Sequence, residues 1–404
     1  MKCKRLLALL LLLCLLQAGC GAPAARETAA PGPEPADAAP TPEPTPTPTS
    51  EPAPTPEPDW PVGPAVTVDG HELASGSVLI DGLACAALDE YAAAAGFADA
   101  RETGDGGFAF VWRGREVTLG EGDAALRYDG RTRPLDGPVA RWHGRLWVPA
   151  ESFSLALEIG FFDDGERQHL YCTPGAGAWA LPEGYAVPVL MYHAVSDWAV
   201  GEPELSVRPA DMEAQLQWLT DNGWDPIWFS DLEHVQDYDK PILLTFDDGY
   251  LNNYTELYPL LQRYGAKATF FVCPRFIEEE DTRFLHEAEI RELAASELVD
   301  IQSHSYSHYP DMSVLLEEHV LHQLADSQLY LTRMTGRQPF VFCYPCGNES
   351  SFVRELLVDY YRFGVKMGGD CYVTGADPTL VYRYYIKRFD GAARLEQLLG
   401  RIHG

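Results

Sequence analysis

Over its second half, this 404-residue chain alternates short apolar runs with segments of helical periodicity. Apolar runs rich in β-branched residues are typical of buried strands, and the segments between them are typical of amphipathic helices. One helix is clear, because Met212, Leu216 and Leu219 share a face and Gly223 can end it. The strand-like runs are residues 188–192, 242–246, 268–272, 299–302, 340–344 and 382–386. This alternation predicts an α/β fold with parallel strands, in which active sites gather at the carboxyl ends of the strands.

Two acidic residues follow one of these runs, and two histidines follow another. Asp247 and Asp248 stand side by side, and His304 and His308 are separated by one tight turn. A divalent cation offsets the repulsion between adjacent carboxylates and leaves one of them free to act as a base. One Asp and two His suit Zn²⁺ or a similar first-row metal, with positions left open for water and substrate. Either motif alone is also common in a turn or a solvated loop, but the two together predict a hydrolytic metal centre.

These motifs resemble those of the polysaccharide deacetylases of carbohydrate esterase family four, over roughly residues 185–404. The resemblance implies an irregular seven-stranded, TIM-like β/α barrel, here predicted over residues 183–404, that hydrolyses acetyl groups on glycans. It also implies that Asp247 is the general base, while Asp248, His304 and His308 hold a divalent metal, Zn²⁺ or else Co²⁺, Ni²⁺ or Mn²⁺. The chemistry agrees, because a Lewis acid polarises the acetyl carbonyl and a free carboxylate takes the proton from the attacking water.

A third segment, residues 342–348, ends another strand-like run and resembles the family's third motif, usually Arg-x-Pro-Tyr-Gly. Cys343 stands where the family has the Arg that orients the base, and we expect that it cannot pair with the base. Arg383 is predicted to replace that Arg. The backbone N–H of Cys346 is predicted to stabilise the oxyanion, because a backbone donor survives a change of side chain. Two further candidates for substrate contact or orientation are Tyr344 and Pro345.

The general acid is the least defined role. The family usually supplies it from a Leu-x-His motif near the carboxyl terminus, but residues 395–399 contain no His, and His403 is almost terminal. His193 follows the first strand-like run and is predicted to open onto the same rim, as general acid or as a substrate contact. A purely structural role for this His stays open.

The amino terminus carries the features of a secretion signal. Three basic residues precede an apolar run over residues 6–16, which is too short to span a bilayer permanently. Small residues before Cys20 resemble a bacterial lipoprotein cleavage box, which implies removal of residues 1–19 and lipid modification of Cys20. The protein is then expected on the outer face of the cytoplasmic membrane. Gln17 is unusual in such a box, so plain secretion or an uncleaved anchor stays open.

Residues 20–64 are rich in Pro, Thr and Glu. Residues 21–64 hold 15 of the 31 prolines of the chain, so this segment cannot bury a core. It is predicted to be a disordered, semi-extended tether of polyproline II character, which at about 3.1 Å per residue reaches on the order of 120 Å. A spacer of that length suits a path from a membrane into a cell wall.

Two similar passages follow the tether, at residues 80–97 and 142–161, and each is predicted as strand, turn, strand and short helix. Residues 65–173 thereby resemble the copper amine oxidase-like N-terminal domain found on secreted bacterial wall proteins. The resemblance carries no copper site, and no His or Cys cluster here provides one. Three tryptophans are candidates for stacking on sugars, but core packing is expected for at least two of them: Trp112, Trp142 and Trp147.

Charge narrows the choice of partner. The chain has 60 acidic and 30 basic residues, which excludes nucleic acid and other polyanions and favours a neutral or partly cationic glycan. The leading hypothesis is a metal-dependent hydrolase that removes N-acetyl groups from an extracellular amino-sugar polymer such as peptidoglycan or poly-N-acetylglucosamine. The expected partners are this glycan, a membrane through the lipid anchor, and a cell wall through the amino-terminal module.

Two alternatives stay open. An O-acetyl esterase acting on a glycan such as xylan uses the same site. A glycan-binding cell-wall lipoprotein without turnover would explain the loss of the Arg at Cys343 and of the terminal His motif. Against loss of turnover stand the two acids and two histidines, because a decaying site is expected to lose its costly buried acids early.

Overall fold

The computed structural model describes residues 59–128, 130–173, 180–369, 371–400 and 402. The predicted signal peptide, Cys20 and residues 20–58 of the predicted tether lie outside the described residues. The prediction of a disordered tether was wrong for residues 59–64, because the backbone N–H of Gly63 donates to the carbonyl oxygen of Ser77 at 2.9 Å and that of Leu79 donates to the carbonyl oxygen of Pro61 at 2.8 Å. Within the described ranges, no helix is both long enough and apolar enough to cross a membrane.

Residues 59–173 form an amino-terminal module built mostly from short antiparallel hairpins. Its strands and helices are β1 Ala65–Val68, β2 His71–Glu72, β3 Ser77–Ile80, β4 Leu83–Ala87, α1 Leu88–Ala94, β5 Ala98–Glu102, β6 Phe108–Trp112, β7 Arg115–Leu119, β8 Ala125–Tyr128, β9 Arg131–Pro134, β10 Ala140–Trp142, β11 Arg145–Pro149, α2 Ala150–Ala156, β12 Gly160–Asp163 and β13 Arg167–Tyr171. The strands pair in the orders β12-β13-β1-β2, β10-β11-β4-β3, β5-β6-β7 and β8-β9.

The two similar sequence passages have the same local structure. β3, a turn, β4 and α1 make one copy, and β10, a turn, β11 and α2 make the other. Each turn places two residues at positive φ, Asp81-Gly82 in the first and His143-Gly144 in the second, as a two-residue hairpin requires. The copies join directly, because β4 and β11 pair antiparallel in one sheet.

The three tryptophans serve packing within this module. Trp147 is buried, and Trp112 is half-buried and donates its indole N–H to the carbonyl oxygen of Leu157 at 3.0 Å. Trp142 is half-buried and stacks at an angle against Trp60 and Trp147.

Residues 180–402 form a β/α domain. Its strands and helices are β14 Ala186–Val187, β15 Val189–Tyr192, α3 Pro209–Asp221, β16 Asp225–Ile227, β17 Pro241–Phe246, α4 Tyr258–Tyr264, β18 Ala268–Val272, α5 Pro274–Glu278, α6 Glu287–Ala295, β19 Val299–Ser303, α7 Glu317–Leu321, α8 Ser327–Thr335, β20 Val341–Cys343, α9 Ser351–Leu357, β21 Phe363–Met367, β22 Tyr372–Val373, β23 Val381–Tyr385 and α10 Ala392–Leu399. Short 3-10 turns cover Pro203–Leu205, Phe229–Asp237, Met312–Val314 and Pro345–Gly347, and π-helical turns cover Asn253–Leu257 and His322–Asp326.

The parallel strands close into a barrel. β15 pairs with β17 on one side and with β23 on the other, so the ring runs β15-β17-β18-β19-β20-β21-β23, and β16 pairs with the start of β17. The predicted seven-stranded β/α barrel is confirmed in the described part of the chain. Four strands of this domain were not predicted, β14, β16, β21 and β22, and only β21 of these belongs to the ring. The predicted helix is α3, which buries Met212, Leu216 and Leu219.

Alternation along β17 decides which way its last residues point. Ile242, Leu244 and Phe246 pack in the cluster that contains the residues of α3 and α4, whereas Leu243 packs with residues of the other strands. Because successive side chains of a strand point to opposite faces, the residue after Phe246 continues the inward row of Leu243. Asp247 therefore points into the mouth of the barrel.

The amino-terminal module packs against the barrel, and the described residues all belong to one compact unit. β12 lies along α8. The hydroxyl of Tyr171 donates to the carbonyl oxygen of Gly336 at 2.6 Å, and the side chain of Gln338 donates to the carbonyl oxygen of Tyr171 at 3.1 Å. The Tyr360 hydroxyl donates to the buried carboxylate of Glu158, which crosses the same seam.

Asp300 is a buried acid on β19, and burial changes the pKa of its carboxyl group. The side chain of Gln302 donates to Asp300 at 2.9 Å, but burial prevails and raises the pKa of the carboxyl to about 7. A raised folded-state pKa means that stability falls as pH rises from the ordinary value of 3.8 to about 7, by roughly 1.4 kcal/mol per pH unit. We expect Asp300→Asn to remove this slope in urea unfolding measured from pH 4 to pH 8. Equal slopes for the two proteins would contradict the prediction.

Candidate active site

The adjacent acids lie where β17 ends. The backbone N–H of Asp247 donates to the carbonyl oxygen of Tyr192 on β15 at 2.9 Å, which continues the strand pairing by one residue. Asp248 then turns the chain with φ 70°, a conformation that a non-glycine residue adopts at a cost. Gly249 follows at φ 73°, and a Cβ atom there would lie 3.3 Å from Val272. This turn lets two successive carboxylates face the same opening.

Asp248, His304 and His308 form one cluster. The Asp248 Oδ1 atom lies 3.4 Å from the Nε2 atom of His304 and 3.4 Å from the Nε2 atom of His308. One donor atom from each residue falls within 4.8 Å of the others. Two histidine nitrogens and one carboxylate oxygen around a common point are a donor set that fits Zn²⁺ and related metals.

The loop after β19 prepares both histidines for this role. The Nδ1 atom of His304 lies 2.8 Å from the carbonyl oxygen of Cys343, so Nδ1 carries the hydrogen and Nε2 keeps its lone pair for a metal. Ser305 and His308 have φ values of 64° and 53°, and the Ser305 hydroxyl accepts the backbone N–H of His308 at 3.0 Å. The tight turn thus brings His308 back beside His304.

Asp247 forms a buried ion pair with Arg383. Nη1 of Arg383 lies 2.6 Å from Oδ1, and Nη2 lies 2.7 Å from Oδ2, with side-chain exposures of 1% for Arg383 and 4% for Asp247. Such a two-point contact fixes the plane of the carboxylate. Asp247, His304 and Cys343 also lie within 4.8 Å of one another, but Arg383 occupies both oxygens of Asp247, so the cluster around Asp248 is the better ligand set.

One expectation about Cys343 was wrong. Its thiol lies 3.6 Å from Oδ2 of Asp247 and 3.2 Å from Nη2 of Arg383, so it contacts both members of the ion pair. A neutral thiol is a weak donor and a weak acceptor, and it can therefore fill this space without adding a charge.

Asp247 and His193 have different protonation states at neutral pH because their surroundings shift the two pKa values differently. Burial opposes ionisation of Asp247, but the Arg383 guanidinium prevails and holds the pKa of the carboxyl well below its ordinary range. Burial lowers the pKa of His193 and outweighs the attraction of Asp247 and Asp248. At neutral pH, Asp247 is a carboxylate and His193 a neutral imidazole.

His193 lies beside the base. Its Nε2 atom is 3.9 Å from Oδ2 of Asp247, and its side chain is 14% exposed. Nδ1 is buried without a hydrogen-bond partner among the described residues. Because Nδ1 is buried, Nε2 is the nitrogen through which this imidazole can exchange protons with the base.

The third motif forms a 3-10 turn, Pro345–Gly347, after β20. Cys346 has φ 55° and is exposed, and it lines the opening together with the buried ring of Tyr344. The Tyr344 hydroxyl donates to the carbonyl oxygen of Thr379 at 3.1 Å, so this hydroxyl points away from the opening. Pro345 is buried and begins the turn.

These groups share a cavity of about 230 Å³. Predicted residues make up one side of it: His193, Asp247, Asp248, His304, His308, Tyr344, Cys346 and Arg383. Sequence reasoning missed the other side, which consists of Val200, Glu202, Leu205, Tyr250, Gly347, Met367 and Tyr385. Only Gly347 is next to a predicted residue, Cys346, whereas Tyr250 lies two residues after Asp248 and Tyr385 two residues after Arg383. A larger polar hollow of about 660 Å³ lies in the amino-terminal module, but it is not lined by histidine or cysteine.

Comparison with known proteins identifies the family of this chain. The family model described as polysaccharide deacetylase matches residues 234–362. A Bacillus subtilis protein named as a polysaccharide deacetylase is 32% identical over 197 residues, which are 47% of this chain and 67% of the relative. The chain belongs to the polysaccharide deacetylase family. It is therefore a deacetylase enzyme, a hydrolase.

Other deacetylases are related at greater distance. The poly-β-1,6-N-acetyl-D-glucosamine N-deacetylase of Escherichia coli strain K12 is 30% identical over 139 residues, which are 30% of this chain and 21% of that protein. A crystal structure of a polysaccharide deacetylase from Bacillus anthracis has a TM-score of 0.51 and 21% identity, and covers 70% of this chain and 95% of that one. The structural likeness shows a shared fold.

Proposed function

We propose that this polysaccharide deacetylase removes N-acetyl groups from an extracellular amino-sugar polymer of the poly-N-acetylglucosamine or peptidoglycan type, with a divalent metal at Asp248, His304 and His308. One observation carries the proposal. Asp247, held by two contacts to Arg383, faces the same cavity as a carboxylate that lies 3.4 Å from two histidine nitrogens. The similarity to a deacetylase that acts on poly-N-acetylglucosamine supports the substrate class.

The two acids have different roles in this proposal. Asp248 and the two histidines would hold the cation, with Zn²⁺ the first candidate and Co²⁺, Ni²⁺ or Mn²⁺ the others. When bound, such a cation supplies Lewis acidity to the acetyl carbonyl and lowers the pKa of water. Asp247 stays outside the ligand set because Arg383 occupies its oxygens, and it takes the proton from the attacking water.

The remaining groups act on the leaving amine and the oxyanion. The backbone N–H of Cys346 donates to the oxygen that gains negative charge when water attacks. His193, neutral and with Nε2 3.9 Å from Oδ2 of Asp247, takes from Asp247 the proton that came from the water and passes it to the amine as the C–N bond breaks. Tyr344 and Pro345 shape the turn that presents Cys346.

The location is part of the same proposal. Residues 1–19 are removed, Cys20 is lipid-modified, and residues 20–58 tether the protein to the outer face of the membrane, since residues 59–64 pack in the amino-terminal module. The basic and apolar start of the chain and the Pro-rich segment support this organisation. Residues 65–173 form a copper amine oxidase-like module, supported by the paired repeats β3-β4-α1 and β10-β11-α2.

Acetate release from an N-acetylglucosamine oligomer tests the function directly. We expect activity that disappears with chelator, returns with Zn²⁺ or Co²⁺, and is absent from Asp248→Ala in every metal. Release of acetate from acetylated xylan but not from the oligomer would make the protein an O-acetyl esterase. Metal uptake without acetate release from either substrate would contradict the proposal and indicate a glycan-binding protein.

Arg383 gives a second prediction for this site. Lys cannot reproduce the two-point contact, so we expect Arg383→Lys to lower kcat by roughly 10²-fold. Weaker pairing raises the pKa of Asp247, so the acid limb of the pH profile of kcat/KM is expected to move to higher pH. Cys343→Ser, which keeps the ion pair, is the matched control and should change kcat by less than about threefold.

A double variant tests whether a guanidinium at position 343 can replace that of Arg383 beside Asp247. Cys343 lies 3.2 Å from the Arg383 guanidinium, so Cys343→Arg combined with Arg383→Ala places a guanidinium at the family's usual position. Recovery of part of the activity lost in Arg383→Ala is the expected result. Full activity in Arg383→Ala alone would exclude an orienting role for Arg383.

A further inference from the structure

Two exposed aromatic side chains lie on segments of the chain that also line the cavity. Trp198 is 82% exposed and Phe389 is 73% exposed, the highest values for aromatic residues in the described part of the chain. Trp198 belongs to residues 196–206, here named the rim loop, and Phe389 follows β23. Exposed apolar groups concentrated beside a site typically mark a binding surface.

Arg388 joins the two segments that carry these rings. Its Nη1 atom donates to the carbonyl oxygen of Ser206 at 2.9 Å, and its Nη2 atom donates to the carbonyl oxygen of Asp197 at 2.5 Å. The backbone N–H of Arg388 donates to the carbonyl oxygen of Glu204 at 2.7 Å. Trp198 directly follows Asp197, whose carbonyl oxygen binds the Arg388 guanidinium, and Phe389 directly follows Arg388 itself. One side chain therefore links the backbone beside Trp198 to the backbone beside Phe389.

The rim loop is also a wall of the cavity. Val200, Glu202 and Leu205 line the cavity from the rim loop, and Tyr385 lines it from the end of β23. A second hollow of about 400 Å³ lies on the next residues of the same two segments. Its lining consists of Pro203, Glu204, Lys387, Arg388, Phe389 and Asp390. The surface therefore extends from the cavity, over the rim loop, to the ring of Phe389.

Fixed cations hold the ring of Phe389 in place. The guanidinium carbons of Arg208 and Arg388 lie 5.2 Å and 5.7 Å from its centroid. Arg208 is itself held by Asp211, with 2.9 Å between Nη2 and Oδ1. A ring that is positioned before binding offers a flat apolar face at little entropic cost.

We propose that Trp198 and Phe389 form a subsite for sugar units of the polysaccharide that flank the unit losing its acetyl group. A pyranose ring has C–H groups on its faces and hydroxyls at its edge, so it stacks on an aromatic ring while polar groups bind the edge. Glu204, Lys387 and Asp390 surround Phe389 and provide such groups. A polymer must continue beyond a cavity of about 230 Å³, and this surface is where the cavity wall continues. The inference rests on the proposed function.

Charge favours a glycan over a lipid surface as the occupant. Four acids lie on these two segments, Asp197, Glu202, Glu204 and Asp390, against two cations, Lys387 and Arg388. Lys387 pairs with Glu204 at 2.9 Å, and the guanidinium of Arg388 is turned to backbone carbonyls, so the segments keep an excess of negative charge. An acidic surface is repelled by anionic lipids but not by a neutral or amine-bearing sugar chain.

The experiment compares the wild type, Trp198→Ala combined with Phe389→Ala, and Trp198→Phe combined with Phe389→Tyr. Val62→Ala is the matched control, because Val62 is 84% exposed and lies in the amino-terminal module. Titration calorimetry with an N-acetylglucosamine hexamer is done in chelator, so that binding is measured without turnover. The ratio of kcat/KM for hexamer to kcat/KM for dimer is then measured with Zn²⁺, and thermal unfolding checks that all variants fold.

The double alanine variant is expected to raise the Kd for hexamer about tenfold or more and to reduce the hexamer-to-dimer ratio by a similar factor. The aromatic-conserving variant is expected to remain within about threefold of the wild type. Unchanged hexamer binding in the alanine variant would overturn the subsite and leave the deacetylase proposal intact. Hexamer binding through Trp198 without acetate release would keep the subsite and refute the deacetylase proposal. Loss of binding to phosphatidylglycerol vesicles, with hexamer binding unchanged, would assign the rings to a membrane.

Discussion

Asp247→Asn is expected to lower kcat by about 10²- to 10⁴-fold, the range associated with removal of a positioned general base. The reason is the division of roles between the adjacent acids. Asn keeps the size of the side chain but cannot accept a proton at the opening. The metal site is formed by Asp248 and two histidines, so we expect the Zn²⁺ stoichiometry of this variant to equal that of the wild type. Asp248→Asn, measured in parallel, is expected to lose the metal.

The variant also needs a stability control, because Asn is neutral and leaves the buried Arg383 guanidinium without a negatively charged partner. Unpaired buried charges are costly, so Asp247→Asn is expected to unfold at a lower temperature than the wild type. The double variant Asp247→Asn with Arg383→Gln removes that charge. It should regain thermal stability without regaining activity. Activity within about tenfold of the wild type in Asp247→Asn would show that another group is the base.

Glu158→Ala is expected to reduce the free energy of unfolding by about 3 to 5 kcal/mol. Glu158 belongs to the amino-terminal module and does not line the cavity. Its carboxylate lies 2.5 Å from the Arg133 guanidinium and 3.6 Å from that of Arg113, and it accepts the hydroxyl of Tyr360. The Arg113 and Arg133 side chains are only 6% and 19% exposed. Removal of the acid therefore leaves two cations in a poorly solvated place.

Urea unfolding measures this effect, and Glu116→Ala is the matched control. Glu116 also pairs with an Arg, but both side chains are more than half exposed, so its removal should cost less than about 1 kcal/mol. Equal losses in the two variants would contradict the argument.

The Glu158 contribution is also expected to depend on pH. Burial opposes ionisation of Glu158, but Tyr360 and Arg133 prevail and lower its pKa from 4.5. A lowered folded-state pKa gives stability that is complete above the ordinary value and is lost as pH falls through the lower one. The difference in stability between the wild type and Glu158→Gln should therefore narrow below pH 4.5.

The residues of the site differ in how much of their placement could be read from the sequence. Asp247, Asp248, His304 and His308 were predictable as a group because each follows a run that is apolar enough to be read as a strand. Arg383 could be named only as a replacement for the Arg missing at Cys343. Its two-point contact depends on β23 lying beside β15, and strand order is a long-range property that periodicity does not contain.

Physical reasons also explain the missed elements. β21 was not predicted because Gly364 and Lys366 interrupt its apolar pattern, yet a Cβ at Gly364 would lie 2.5 Å from the Tyr344 hydroxyl, so the strand needs this glycine. The rim loop has no periodicity, and its shape depends on Arg388, about 190 residues further along the chain. Contacts of that kind appear only once the barrel is closed.

The seam between module and barrel limits how this protein can be recombined. At Gly336 a Cβ atom would lie 2.8 Å from the ring of Phe162, and across the same seam Glu158 depends on Tyr360. Domains of one chain can be independent units joined by small polar interfaces, but here each half supplies groups that the other half needs. A chimaera that takes its barrel from one relative and its module from another would have to inherit both sides of this seam together, so we expect the two halves to have diverged as one evolutionary unit.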